Sequence, residues 1–137
     1  MTMPSDVGAY NRQLIVQFRE AGGVLGDRPL LLLTTVGARS GTEHTAPMMF
    51  IPDDDRLLVV ASNAGAERHP DWYHNLVAHP RVTVEARGET YPASAVVLDG
   101  ADRDAVFARI AAQYPFFHEH QAKTSRVIPV VALVRLT

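Results

Sequence analysis

About six short segments rich in branched and aliphatic residues, evenly spaced and separated by turn residues, constrain this chain more than any other feature. Leu30 to Thr35 is a continuous apolar run and reads as a buried strand. His44 to Ile51 reads as a second strand and Arg56 to Ser62 as a third. Val82, Val84 and Ala86 alternate with Arg81, Thr83 and Glu85, the period of a strand with one face buried. A further strand is predicted near Thr90 to Leu98, and Ile128 to Leu136 closes the set. Between them lie Gly37-Ala38-Arg39-Ser40-Gly41, Asp53-Asp54-Asp55 and Gly88, all turn-forming sequences. This pattern is the signature of a small barrel or sandwich.

Helical segments flank and interrupt the strands. Ser5 to Ala21 carries Leu14, Ile15 and Phe18 near helical spacing; Ser5 or Asp6 is placed to cap its start, and Gly22-Gly23 ends it. Pro70 to Ala78 reads as a short helix with proline near its start. Ala101 to Tyr114 reads as another, with Val106, Phe107, Ile110 and Ala111 forming a buried stripe. Pro115 to Arg126 is a looser segment rich in aromatics and histidines.

A chain of 137 residues suits one domain, spanning 1–137, with residues 1–24 as an N-terminal helix and 30–137 as the barrel. Thirteen Lys and Arg against 15 Asp and Glu give a net charge of −2, which argues against a general nucleic-acid binder. The absence of cysteine rules out disulfides, thiolate metal sites and a cysteine nucleophile, and fits a cytoplasmic protein. No stretch reaches the roughly 18 apolar residues of a membrane span, and no secretory signal is evident. The N-terminal helix leaves room for weak peripheral membrane contact, although its charge is mixed.

Several segments have the chemistry of a ligand site. The turn from Gly37 to Gly41 places Arg39 and Ser40 between two glycines. Glycine leaves backbone N–H groups open to an anion, and arginine adds a planar donor fork suited to phosphate. A plain hairpin turn with an exposed arginine would look the same; the Gly-Lys-Ser/Thr ending of a Walker loop is missing. Ala61-Ser62-Asn63-Ala64-Gly65-Ala66 is a run of small residues that lets a flat group approach the backbone, and it leads into a helix whose N-terminus favours an anion. An ordinary strand-to-helix loop is the alternative. Trp72 and Leu76 share a helix face and read as core, whereas Tyr73 and Asn75 are free to orient the ligand loop. The six histidines, His44, His69, His74, His79, His118 and His120, show no metal-ligand spacing, and the aspartate run lacks the spacing of a calcium loop. Tyr114-Pro115-Phe116-Phe117-His118-Glu119-His120 reads either as a lid over a flat ligand or as a connector packing its rings on the barrel.

In order along the chain, Leu32-Leu33-Thr34-Thr35-Val36-Gly37-x-Arg39-Ser40-Gly41, Pro47, Ala61-Ser62-x-x-Gly65-Ala66, Pro70-x-Trp72-Tyr73-x-Asn75-Leu76, Pro80, Tyr114-Pro115 and Arg126-x-Ile128-Pro129-Val130 form a set. The set resembles the deazaflavin-dependent nitroreductase family of actinobacteria, within the flavin-reductase-like split β-barrels. The resemblance runs from about Leu30 to the C-terminus and implies an α+β fold, mainly β: a six-stranded split β-barrel with an N-terminal helix and two to three inserted helices. It also implies coenzyme F-420, a deazaflavin bearing a phosphate and a polyglutamate tail, as cofactor. By resemblance, Gly37, Arg39, Ser40, Gly41, His44 and Pro47 belong to the cofactor site. So do Ala61, Ser62, Asn63, Ala64, Gly65, Ala66, Arg68, Trp72 and Asn75. Tyr114 matches a tyrosine that faces the substrate.

This chain departs from the family pattern at Ala38, His44 and Asn63, where relatives often carry basic residues, and at Phe117 and His120, where they carry further tyrosines. Phosphate recognition is then either weaker or dependent on Arg68 and the helix N-terminus. The implied reaction is hydride transfer from the reduced cofactor to a quinone, an activated enone or a nitro-type acceptor, with Ser62, Tyr114 and His120 as candidates to stabilise or protonate the acceptor. Binding of FMN or haem, as in related barrels, and a non-catalytic carrier of deazaflavin or a hydrophobic ligand are the alternatives. The resemblance allows either a monomer or a homodimer.

Overall fold

The structure, a computed structural model, describes residues 7–24 and 29–136. Helix α1 (Val7–Glu20) precedes strands β1 (Leu30–Val36), β2 (Glu43–Met49), β3 (Ile51–Asp53) and β4 (Arg56–Val60). A short turn of 3-10 type at Asn63–Gly65 leads to α2 (Asp71–Ala78), then β5 (Arg81–Ala86), β6 (Glu89–Val97), α3 (Gly100–Gln113), α4 (Phe116–Ala122) and β7 (Val130–Arg135). The expected caps Ser5 and Asp6 lie outside the described residues.

One antiparallel sheet contains all seven of these strands, in the order β2-β1-β5-β6-β7-β4-β3. Its two edges, β2 and β3, are separated in sequence by Phe50 alone. A flat sheet would hold these edges far apart, so the sheet must curl until they meet, and a half-barrel results. The strand expected over His44 to Ile51 is therefore two strands. β2 pairs with β1, β3 pairs with β4, and at the corner the Phe50 N–H leaves the ladder to donate to the Pro29 carbonyl at 2.8 Å. Pro47 and Pro52 fall on these edge strands, where a missing N–H is tolerated.

Local chemistry sets the connections. Gly22 and Gly23, both at positive φ, stop α1: the Gly23 N–H donates to the Phe18 carbonyl at 3.0 Å and the Gly22 N–H to Arg19 at 3.1 Å, a Schellman pairing. Arg87 and Gly88, also at positive φ, form the two-residue hairpin between β5 and β6. Pro115 follows Tyr114, the residue that ends α3, and proline disfavours helical backbone in the residue before it. The looser segment expected after it contains α4.

The curl gives the sheet two packed faces. Leu31, Leu33, Leu57, Val59, Val82, Val84, Val131 and Leu133 fill the concave side with Phe50 and Leu76. Alternate residues of β4 and β7, Leu58, Val130 and Ala132, pack outward against Phe107, Ile110 and Ala111 of α3 and Phe117 of α4. Strands covered on both faces lose the alternating pattern, hence the runs Leu57-Leu58-Val59 and Val130-Val131-Ala132-Leu133. The Arg19 guanidinium meets Glu85 through two bonds of 3.1 and 2.9 Å and pins α1 to the outer side of β5.

Candidate functional site

The turn between β1 and β2 is built around its two glycines for different reasons. A side chain at Gly37 would collide with Ser40 Oγ and come within 3.0 Å of His44 Nε2. Gly41 has open space around it but a φ of +71°, which favours glycine. The Gly37 N–H donates to the Thr42 carbonyl at 2.7 Å and the Gly41 N–H to that of Gly37 at 3.0 Å. Ser40 Oγ accepts the Thr42 N–H at 3.2 Å and is linked to Thr42 Oγ1 at 2.9 Å and His44 Nε2 at 3.3 Å. Ser40 and His44 thus brace the turn, while the exposed Arg39 guanidinium has no ion pair or hydrogen bond among the described residues.

Helix α2 is clamped to this turn by a single buried amide. Asn75 Oδ1 accepts the Ala38 N–H at 3.0 Å, and Asn75 Nδ2 donates to Thr35 Oγ1 at 3.1 Å. Asn75 therefore acts through the turn it holds. Leu76 packs in the concave core, and Trp72 is half-buried against it, as expected.

Between the turn and α2 opens a cleft of about 920 Å³, lined by Thr35, Gly37, Arg39, Ser40, His44 and Ala46 on one side, Arg68, Asp71, Trp72, His74 and Asn75 on the other, and Asn11 of α1. A volume of this order suits a cofactor-sized ligand. The Arg68 guanidinium, like that of Arg39, has no partner among the described residues. The α2 N-terminus contributes less than the sequence suggests, because the Asp71 carboxylate stands in its first turn at the cleft wall and counters its attraction for an anion.

The strand register sorts the remaining residues. His44 pairs with Thr35 and Ala46 with Leu33, which places both on the concave face; Pro47 pairs with Leu32 and lies on the opposite face. Pro47 and Gly41 do not line the cleft, nor do residues 61–66. Ala46 and Thr35 were missed in the sequence, although period two from His44 reaches Ala46. Asn11 gave no signal, because its approach depends on where α1 docks.

Residues 61–66 form a second locality, against α4. Ser62 has right-handed backbone, φ −75° and ψ −33°, and Asn63, Ala64 and Gly65 follow at φ +48°, +55° and +82°. A right-handed residue followed by a left-handed one turns successive N–H groups into one concavity. The N–H groups of Ser62, Asn63 and Ala64 make no hydrogen bond among the described residues. A side chain at Gly65 would lie 2.8 Å from the His120 carbonyl oxygen and 3.1 Å from its Cα, so glycine lets α4 seat against the loop. Ser62 and His120 thus flank one loop–helix contact.

His120 Nδ1 is buried without a hydrogen-bond partner among the described residues. The ring stands 5.5 Å from Phe116 and 6.0 Å from Phe117. Burial, with Lys123 nearby, lowers the His120 pKa, and Glu119 opposes this only in part. Tyr114 packs with Phe116 and Phe117 in the outer cluster, and its hydroxyl accepts one long bond, 3.5 Å from Gln113 Nε2. Arg126, which the sequence marks only as part of a motif, holds the loop through its carbonyls and through His69.

Residues 10–135 match the model of a family described as F420H(2)-dependent quinone reductase. The chain belongs to that family. An F420H(2)-dependent quinone reductase of Mycobacterium tuberculosis strain H37Rv is 35% identical over 131 residues, covering 86% of this chain and 85% of that protein. A solved F420-H2 dependent reductase, FDR-A, is 36% identical with a TM-score of 0.70, covering 80% of this chain and 97% of the other. A structure described as a domain-swapped dimer is 35% identical with a TM-score of 0.72, covering 89% and 95%. The haem storage protein HutZ of Vibrio cholerae, at 18% identity and a TM-score of 0.58, shares the fold.

This family member is a deazaflavin-dependent reductase, and its cofactor is coenzyme F-420. The FMN and haem alternatives are not needed. The residues present fit the group: two guanidinium groups without partners among the described residues suit its phosphate, and the half-buried Trp72 gives a flat wall. Among the described residues no helix is long and apolar enough to cross a membrane.

Proposed function

We propose that this reductase delivers the cofactor's hydride to a quinone, with activated enones and nitro compounds as further acceptors of the same electron-poor class. The cleft with two unpartnered arginines beside the glycine turn carries this reading, and the quinone reductase relatives give the acceptor class. When bound, the reduced deazaflavin supplies the hydride; the protein supplies binding, orientation and electrostatics. Arg39 and Arg68 hold the phosphate. The Ser62 to Ala66 loop presents backbone N–H groups and small side chains to the ring. Asn75 keeps the glycine turn in place.

At the acceptor, negative charge develops on an oxygen, and a donor must meet it. Ser62 and Tyr114 fill that role, each with a hydroxyl not consumed by a strong internal bond. His120 offers its unpartnered Nδ1 in an apolar setting. Because burial disfavours its charged form, His120 acts at neutral pH as a neutral hydrogen-bonding group rather than as a standing imidazolium. The domain-swapped relative supports a homodimer for this chain also, which light scattering would show.

Fluorescence titration with oxidised coenzyme F-420, with FMN as control, tests the cofactor site: saturable, deazaflavin-selective binding is expected. Stopped-flow oxidation of the reduced cofactor by a short-chain quinone then tests the acceptor. Tyr114→Phe is expected to lower turnover more than cofactor affinity; an unchanged rate removes its assigned role.

A further inference from the structure

The guanidinium of Arg126, between α4 and β7, is committed to one loop. Nε donates to the Ala66 carbonyl at 2.9 Å, Nη2 to Ser62 at 2.7 Å, and Nη1 to Ala61 at 3.2 Å and to His69 Nδ1 at 3.0 Å. These acceptors stand on both flanks of the left-handed turn Asn63-Ala64-Gly65. Two of its three residues, Asn63 and Ala64, carry a Cβ that disfavours such backbone. Its internal ties are few: the Gly65 N–H to Ser62, the Ala66 N–H to Asn63, and Asn63 Nδ2 to the Arg68 carbonyl at 3.0 Å. A strained turn persists only where its surroundings over-determine it. The planar five-donor fork of arginine can bridge both flanks; a lysine ammonium presents only a point charge.

We infer that Arg126 and His69 form a clasp that positions this loop, holding the N–H groups of Ser62, Asn63 and Ala64 open toward a carbonyl or anionic oxygen, and that the clasp releases in acid. The inference rests on the reading above that this loop faces the cofactor. The bond requires a lone pair on His69 Nδ1, so its proton sits on Nε2. A protonated His69 loses that lone pair and sets a second cation against Arg126. Arg126 on its Nδ1 side and His74, whose ring stands 5.5 Å away, favour the neutral ring, while the Tyr73 ring packs 4.6 Å away. Burial, then Arg126, then His74 lower the His69 pKa from its ordinary 6.5. Glu67 is the carboxylate whose field reaches Arg126.

Hydrogen–deuterium exchange of the cofactor-free protein over residues 61–69, corrected for intrinsic rates between pH 8 and 5, tests the clasp by itself. Protection in the parent protein is expected to fall as His69 titrates. His69→Gln, whose amide oxygen can still accept from Arg126, is expected to show a flat profile, and Arg126→Lys to lose protection at every pH. Equal pH profiles for the parent and His69→Gln, or parent-like protection in Arg126→Lys, would overturn the clasp. If Arg126→Lys fails to fold, the His69→Gln comparison still decides. With oxidised coenzyme F-420 as probe at pH 7.5, Arg126→Lys is expected to raise Kd about tenfold, the scale of a lost charge-assisted bond. An unchanged Kd with altered exchange would overturn the positioning role. Failure of the parent protein to bind coenzyme F-420 at all would refute instead the reading of the cofactor site, leaving the exchange result to judge the clasp.

Discussion

Replacing Asn75 by alanine removes the one side chain that, among the described residues, hydrogen-bonds α2 to the glycine turn, and the structure sets the size of the effect. Two hydrogen bonds are lost, to the Ala38 N–H and to Thr35 Oγ1. Ala38 is exposed, so water replaces its lost acceptor and that bond costs about 1 kcal/mol. Thr35 is 1% exposed and cannot be resolvated as readily, so its stranded hydroxyl adds about 1–3 kcal/mol. The sum is about 2–4 kcal/mol, against a total stability of about 5–15 kcal/mol for a typical domain. At about 3–4 °C per kcal/mol for a chain of this length, Tm is expected to drop by about 6–16 °C. Urea unfolding of the parent, Asn75→Ala, Thr35→Val and the double variant measures it. Thr35→Val removes the hydroxyl that Asn75→Ala strands, so the double variant is expected to be more stable than additivity allows by about 1 kcal/mol or more. Cofactor affinity should fall with Asn75→Ala, because the turn carrying Arg39 loses its anchor. Strict additivity, with Asn75→Ala within about 0.5 kcal/mol of the parent, would refute the bridging role.

Four further outcomes are expected. Gly65→Ala combines a φ of +82° with a Cβ only 2.8 Å from the His120 carbonyl oxygen, whereas Gly41→Ala meets only the φ penalty; thermal melts should show Gly65→Ala far more damaging. Arg39→Gln and Arg68→Gln should each weaken coenzyme F-420 binding about fivefold to tenfold and flatten its salt dependence, with unfolding midpoints unchanged because both guanidinium groups lack partners among the described residues. Asp53 accepts from Arg56 at 2.8 Å and from Arg109 at 2.9 Å, so Asp53→Ala should cost about 1 kcal/mol in urea unfolding and leave cofactor binding unchanged. The pKa values of His69 and His120 are lowered in the fold, so the unfolded chain binds more protons in the interval below 6.5. Their contribution to stability is therefore complete above that value and is lost as pH falls through the interval; urea midpoints rising on acidification would contradict this.

Much of the site was legible because it is local. Gly37 and Gly41 bracket a turn whose hydrogen bonds span five residues, and the sequence of that turn contains all it needs. The spacing of Trp72, Asn75 and Leu76 on one helix fixed which way they face. Arg126 was harder to read, because its acceptors lie 57 to 65 residues away in the chain and three of them are backbone carbonyls, which any residue type provides. Asn75 was read as orienting the 61–66 loop; it holds the glycine turn instead, because its partners Ala38 and Thr35 follow from how α2 lies on β1.

The sequence by itself determined most of the strands, three of the helices, the cleft-forming turn and, through the ordered set of motifs, the deazaflavin chemistry. Each of these depends on near neighbours: side-chain period, glycine φ, proline geometry. Tertiary structure alone decided that Phe50 breaks one expected strand into two, that His44 and Ala46 face the cleft while Pro47 turns away, and that His120 and Arg126 grip the same loop. Those outcomes follow from closing the sheet until β2 and β3 become its opposing edges. Closure is a property of pairing across the whole chain, set by which buried faces can be covered together, and no local window of residues contains it.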